Sequence, residues 1–401
     1  MCLPSLSDSA ELMKTIKSLS DLAIHGATPA FNEALHVGRP NLGDKAAFLD
    51  YAEQIYDSRW LTNNGPRVRQ FESEVATLHG VKHCVAMCNG TLALEIAIRA
   101  LGLEGEVIVP SWTFIATAHA LAWQEIVPVF ADIDPQTHHL DVEAVRRMIT
   151  PRTTGIIGVH LWGRPAPVKE LQALADEFGL QLMFDAAHAF GCSYGGQRIG
   201  NFGRCEVFSF HATKVFNTLE GGAVLTNDDE LAETMRLMRN FGFQGLDNAV
   251  HPGTNGKLSE INAAMGLVNL AALPRFVAAN RKRFENYARA LDGISGIRLL
   301  RYDDSEQPNF QYVVIEVEAG AEVRDRILAA LCAENILARR YFWPGCHGMK
   351  PYRDLYPHAH LLLPQTERMA GQVLVLPTGE TLPEGAEQLV ADVIRLVLES
   401  A

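Results

Sequence analysis

The chain has 401 residues, 35 Lys+Arg against 47 Asp+Glu, a formal net charge of −12 and 48% hydrophobic residues. That length supports two cored domains better than one, and the composition excludes a disordered chain. The acidic balance argues against a general nucleic-acid binder but leaves an anionic small substrate open, because a pocket sets its own local potential. The first 44 residues read as an arm packing with the C-terminal part of the chain; Phe31–Asn41 has no clear period. From Lys45 the pattern is dense. Strand-like runs at His83–Cys88, Glu106–Pro110, Val127–Ile133, Gly155–Leu161 and Gln181–Ala186 alternate with helical runs at Leu92–Leu101, Phe114–Trp123, Asp141–Ile149 and Val168–Phe178. This grammar predicts an α/β fold with a mostly parallel central sheet sandwiched by helices. Two short strands, Val207–Phe210 and Ala223–Thr226, follow, then helices at Asp229–Arg239, Leu258–Leu273 and Phe276–Ala290. A boundary at Leu273–Pro274 separates a large domain, residues 45–273, from a smaller α+β domain, residues 274–401. In the latter, Tyr312–Val317, Val323–Cys332, Ile336–Phe342 and two terminal helices are expected.

The seven cysteines, Cys2, Cys84, Cys88, Cys192, Cys205, Cys332 and Cys346, show no CxxC spacing. Reduced thiols in a cytoplasmic protein are expected. Met1–Asp21 shows no signal peptide, and no run approaches the roughly 18 continuous apolar residues of a membrane span. No metal-ligand cluster appears; His138 and His139 sit in a turn and read as surface residues.

Three segments carry chemistry. In SFHATKVFNTLEGGA, Ser209–Ala223, a lysine lies just beyond an apolar strand and before a Gly-Gly pair. Partial desolvation there would lower its pKa and make its amine nucleophilic, although most lysines are solvated charges. In FDAAHA, Phe184–Ala189, Asp185 ends a strand, where ligands bind in open α/β sheets. It suits the protonated ring nitrogen of pyridoxal phosphate (PLP), or else a helix N-cap. In NGTLALE, Asn89–Glu95, a strand-to-helix junction offers backbone N–H groups and a hydroxyl to a phosphate, or is a plain cap.

In this order the segments resemble the fold-type I PLP enzymes, and specifically the DegT/StrS sugar aminotransferases. The resemblance runs from about Leu61 to Pro377, and GVHLWGRP (Gly158–Pro165) and GTNGKLSEINAAMG (Gly253–Gly266) add to it. It implies Lys214 as the lysine that holds the cofactor and moves protons, Asp185 at the ring nitrogen and His188 beside the ring. It further implies Gly90, Thr91 and Ser209 at the phosphate and Phe114 stacked on the ring. Asn255 would reach the phosphate of a neighbouring subunit, so a homodimer with shared active sites is implied. FNEALHVGRPN, HLWGRP and YFWPGCH (Tyr341–His347) are similar to enzymes that aminate TDP-4-keto-6-deoxyglucose at carbon 4, with glutamate as amino donor.

Substrate candidates are Arg39, Arg164 and Lys257 for a diphosphate, His160, His211 and His347 for a sugar, and Tyr341; the charged and histidine side chains are also commonly structural. Trp112, Trp162 and Trp343 could stack on a base or sugar, yet core packing is the commoner role. A C-3 or UDP-sugar aminotransferase stays open, as does a PLP-binding regulator that no longer turns over, although Lys214, Asp185 and Ser209 are all present. A dinucleotide oxidoreductase would need a GxGxxG turn, which NGTLAL does not supply.

Overall fold

The computed structural model describes residues 14–400. Cys2 and most of the stretch read as lacking a signal peptide lie outside the described residues. Among its described residues the arm contributes one short strand, β1 (Leu35–His36). Helices α1 (Lys45–Ser58) and α2 (Pro66–His79) follow. Asp44 caps α1 by accepting the Ala47 N–H at 2.7 Å, and Pro66 opens α2, where its missing N–H costs no helical bond. Strands β2 (His83–Met87), β3 (Glu106–Pro110), β4 (Val127–Ala131), β5 (Thr153–Val159) and β6 (Gln181–Asp185) then alternate with α3 (Gly90–Ala100), α4 (Ile115–Ala122), α5 (Val142–Met148) and α6 (Val168–Phe178). A small hairpin, β7 (Ser193–Tyr194) and β8 (Gln197–Arg198), precedes β9 (Glu206–Ser209), β10 (Gly222–Thr226) and α7 (Asp229–Met238). Asn89, Asp141 and Asp228 each accept the N–H three residues on, which starts α3, α5 and α7 where the apolar periodicity begins.

Seven strands form the central sheet in the order β2-β10-β9-β6-β5-β3-β4. Strands β9, β6, β5, β3 and β4 are parallel, whereas β10 is antiparallel to both β2 and β9. Strands β2 and β9 therefore point the same way. The carboxyl ends of β2, β9 and β6 meet the start of β10 along one edge. Both faces are buried: Val85 and Met87 pack with α3, α4 and α7, while Cys84 and Ala86 face α2 and the helix that follows α7. Two-sided burial explains why these strands read as continuous apolar runs rather than alternating ones.

That next helix, α8 (Glu260–Ala290), is one unit of 31 residues with Pro274 inside it. The sequence predicted two helices split at the proline; the structure instead carries the Leu273–Pro274 boundary within a helix, which gives up the N–H bond that proline lacks. Among the described residues α8 is the one helix long and apolar enough to cross a membrane by length and composition, with mean hydropathy 1.4 over its most apolar window. Half of that window is buried in protein, and α8 packs on α1 and α2. Asn262 and Asn269 interrupt the apolar run, so a search for unbroken runs passes over it.

The remaining elements are β11 (Ile297–Leu299), β12 (Val313–Val317), α9 (Ala321–Ala333), β13 (Ile336–Leu337), α10 (Tyr352–Leu355), α11 (Pro364–Gln372), β14 (Val373–Leu376) and α12 (Ala386–Glu399). An antiparallel sheet, β11-β12-β14, is covered by α9, α12 and the end of α8, with Phe284, Tyr287, Ile315, Leu331 and Val390 in its core. Leu22, Phe31 and Leu35 of the arm join that core, and β1 pairs in parallel with β13. Buried Glu334 accepts the Lys14 ammonium at 2.9 Å and the N–H groups of Ala23 and Ala30. The strand expected at Ile336–Phe342 shortens to Ile336–Leu337, beyond which Arg339 makes one isolated bridge to Val375.

Candidate active site

A cavity of about 470 Å³ opens at the sheet edge where β2, β6 and β9 end. The antiparallel β10 brings Gly222 there as well. A Cβ on Gly222 would lie 2.6 Å from the backbone of Asn89 and Gly90, and one on Gly90 would lie 2.9 Å from the Ser209 Cβ. These two glycines let the start of α3 close onto β9 and β10. The first-turn N–H groups of α3 have no carbonyl within the helix to bond; Asn89 takes that of Leu92 at 2.8 Å. Gly90 and Thr91, with Ser209 opposite, line the cavity as an anion cradle.

Asp185, the last residue of β6, is buried at the cavity floor. Its Oδ2 accepts the Thr117 hydroxyl at 2.8 Å and its Oδ1 accepts the Ala187 N–H at 3.0 Å. Burial pushes its carboxyl above the usual range, against those two bonds and the nearby charge of Lys214. The loop after β9 turns through a Lys214 N–H bond to the His211 carbonyl, 2.9 Å, and presents the Lys214 side chain to the same cavity. Burial lowers its amine from 10.5 to about 8, while the Asp185 charge acts to raise it. His188 is buried and lines the cavity; desolvation first, and then Lys214, hold it well below the usual histidine range, so its ring is neutral. Phe114, the exposed residue that opens α4, stands at the rim.

The arrangement holds three complementary groups. A cradle of N–H and hydroxyl donors fits a phosphate. A buried carboxylate with only neutral donors of its own fits a cationic ring nitrogen. An amine that is partly neutral near pH 8 fits a carbonyl. Pyridoxal phosphate carries all three partners, and Gly90, Thr91, Ser209, Asp185, His188, Lys214 and Phe114 line one cavity in which to hold it.

Tyr341 also lines this cavity, and so does His211. Thr117, Tyr312 and Arg339 belong to the site without having been singled out in the sequence. Thr117 lies in a run of small helical residues with no motif of its own, and Arg339 is one of two adjacent arginines. Several candidates lie elsewhere. His160 is fully buried, with Nε2 2.6 Å from Glu206 Oε1 and Nδ1 accepting the Ala166 N–H. His347 bridges Ser111 and Glu367, each at 2.6 Å. Arg39 donates to the Ala34 carbonyl at 2.6 Å in the arm. Arg164 lines a second cavity with Asp303 and Glu306. Lys257 donates to Asn240 at 3.1 Å, outside the main cavity. Asn255 is exposed and also outside it. Trp112 and Trp162 are core residues, whereas Trp343 is half-exposed beneath the Arg340 guanidinium. His138 and His139 are not surface residues: both are buried, because Glu316 of β12 covers His138 and the Arg164 carbonyl meets His139.

Residues 43–395 match the family model described as the DegT/DnrJ/EryC1/StrS aminotransferase family. A dTDP-4-amino-4,6-dideoxy-D-glucose transaminase of Escherichia coli is 34% identical over 371 residues, covering 92% of this chain and 99% of that protein. A GDP-perosamine synthase of Caulobacter vibrioides is 36% identical over 313 residues, covering 76% and 84%. The structure of DesI, solved with its TDP-sugar product, is 48% identical with a TM-score of 0.90, covering 94% of this chain and 96% of that one. The chain belongs to the DegT/DnrJ/EryC1/StrS aminotransferase family and is a PLP-dependent sugar aminotransferase of fold-type I.

Proposed function

We infer that this enzyme moves an amino group from glutamate to the C-4 keto group of a TDP-linked 4-keto-6-deoxyglucose. The observation that carries the reaction type is the pairing of Lys214 and Asp185 in one cavity. The similarity to DesI with its TDP-sugar product and to the E. coli transaminase supports the substrate. A further cavity of about 410 Å³, lined by His36, Gly38 and Cys332, borders the first through Thr213, Tyr312, Arg339 and Tyr341. That adds room for a nucleotide beside the sugar.

When bound, pyridoxal phosphate supplies a carbonyl that exchanges amino groups and a ring that takes up the electrons of a broken C–H bond. The chain's own residues do the rest. Lys214 Nζ, lowered toward neutrality, accepts the proton from the donor's α-carbon and can return it at the next step. Asp185, fixed by Thr117 and Ala187, places negative charge where a cationic ring nitrogen is to be held, a preorganised electrostatic contribution. Gly90, Thr91 and Ser209 would hold the phosphate, and Phe114 at the rim would pack against the ring. Asn255 and the exposed apolar Phe241, Phe243 and Leu246 near it in sequence support a second copy of the chain completing the site. The six described free cysteines fit a reducing cytoplasm.

The test follows the visible absorption of the cofactor-loaded protein through addition of glutamate and then the keto-sugar. The absorption should change with glutamate and return with the sugar. A response to glutamate alone would remove the sugar from the assignment. Sedimentation of the purified protein tests the dimer.

A further inference from the structure

Behind the cavity wall, a chain of side chains runs from the small antiparallel sheet to His188, and Trp162 is its centre. The Trp162 backbone is left-handed, with φ 63° and ψ 15°. A bulky residue enters that region only where its surroundings hold it. Three hydrogen bonds do so. The Tyr302 hydroxyl lies 3.0 Å from the Trp162 carbonyl and 2.9 Å from the Tyr312 carbonyl and shares its one hydrogen between them. The indole N–H donates to His138 Nδ1 at 3.2 Å. The backbone N–H donates to His188 Nδ1 at 3.4 Å. The indole also stacks on Phe342, with centroids 5.2 Å apart, and on His188, 6.1 Å apart.

These donors fix where the protons lie. An indole N–H and a backbone N–H can only donate, so Nδ1 is the acceptor in both histidines. His138 Nε2 then carries the hydrogen and donates it to Glu316 Oε1 at 2.8 Å. Glu316, on β12, is held in turn by Arg298, whose Nε lies 3.0 Å from Oε2. In His188, Nε2 carries the hydrogen, and with Nδ1 occupied it is the ring's donor toward the cavity. Trp162, His138, His188 and Glu316 are all buried, so water does not readily replace a lost partner.

We propose that Glu316, His138 and Trp162 are positioning residues for the cofactor: they hold His188 in the Nε2–H form, aimed to donate to an oxygen of bound pyridoxal phosphate. His138 and Glu316 do not line the cavity and act only through Trp162. The small domain thereby sets the hydrogen-bonding state of a large-domain residue. The proposal rests on the reading that His188 faces the cofactor.

A double-mutant cycle on the cofactor dissociation constant, measured by titrating cofactor-free protein with PLP, tests it. His138→Leu and Trp162→Phe should each weaken binding by about tenfold, the scale seen when the partner that orients a ligating histidine is lost. His138→Gln, whose amide accepts from the indole and donates to Glu316, should restore most of the affinity. In a His188→Phe background neither change should weaken binding further, because residues acting through one contact are not additive. Equal losses with and without His188 would overturn the proposal, as would an unchanged dissociation constant alongside a lowered Tm. His188→Phe without any effect of its own would instead remove the reading of His188, and the proposal with it. Should His138→Leu fail to fold, Trp162→Phe, which removes the indole N–H together with part of its buried ring packing, runs the same cycle: the packing loss appears in Tm, and only a loss of affinity that vanishes in the His188→Phe background supports the positioning role.

Discussion

Thr117→Val is the sharpest perturbation of the cofactor site. Valine matches threonine in shape and removes one hydroxyl, which donates to Asp185 Oδ2 at 2.8 Å and lies 3.1 Å from the Thr113 hydroxyl. Asp185 then keeps only the Ala187 N–H at 3.0 Å. Burial already raises the Asp185 carboxyl, and Thr117 is one of the groups opposing that rise, so the substitution favours the protonated form further. A hydrogen bond to a charged group contributes about 1.5–3 kcal/mol, which corresponds to roughly 10- to 150-fold in binding a cationic ring nitrogen. Protonated Asp185 must lose its proton before it can balance such a cation. The loss of affinity should therefore be largest on the acid side and shrink as pH rises. Dissociation constants for PLP measured at several pH values, with circular dichroism as a check on folding, read this directly. A folded Thr117→Val protein with the parent's affinity, or with the same loss at every pH, would show that the Thr117 hydroxyl does not keep Asp185 ionised.

Lys214→Ala should lower turnover by orders of magnitude, and Lys214→Arg should fail as well, because a guanidinium stays protonated; steady-state rates decide, and substantial retained activity in either would sink the role given to Lys214. Gly222→Ala drives a methyl to 2.6 Å from the backbone of Asn89 and Gly90, so PLP affinity should fall as the anion cradle opens; unchanged affinity would show that the cradle is set elsewhere. His79, fully buried, is held at about 4 by desolvation, against its bond to the Ile199 carbonyl. Its folded-state value lies below the unfolded 6.5, so its contribution is complete above that pH and is lost as pH falls toward 4, by about 3 kcal/mol. Denaturant titrations should show a shallower acid-side loss in His79→Gln, and an identical slope would count against burial as the cause.

Much of the site was legible because strand ends are legible. Asp185 closes an apolar run that can only be a buried strand, and Lys214 and Ser209 flank the end of another. Other positions depend on partners far away in sequence. His138 looks like a polar turn residue until Glu316, on a strand 178 residues later, is laid over it. His160 and His347 carry the residue type of a sugar contact, yet Glu206 and Glu367 occupy their ring nitrogens. Thr117 has neither charge nor motif, and its role appears only when α4 lies beside the end of β6. The split expected at Pro274 follows the rule that proline ends helices, which tertiary packing on both sides overrides here.

The unbroken α8 has a consequence for how the molecule comes apart. Its first half is packed among α1, α2 and the central sheet, and its second half places Phe284 and Tyr287 in the small-sheet core. Two cores joined by a loop can melt one after the other. Two cores sharing a single beam must each give up part of their packing when it frays. Fraying that begins at the small antiparallel sheet is thereby passed along α8 to α1 and α2, so heating should end catalysis and fold together in one cooperative transition rather than in two.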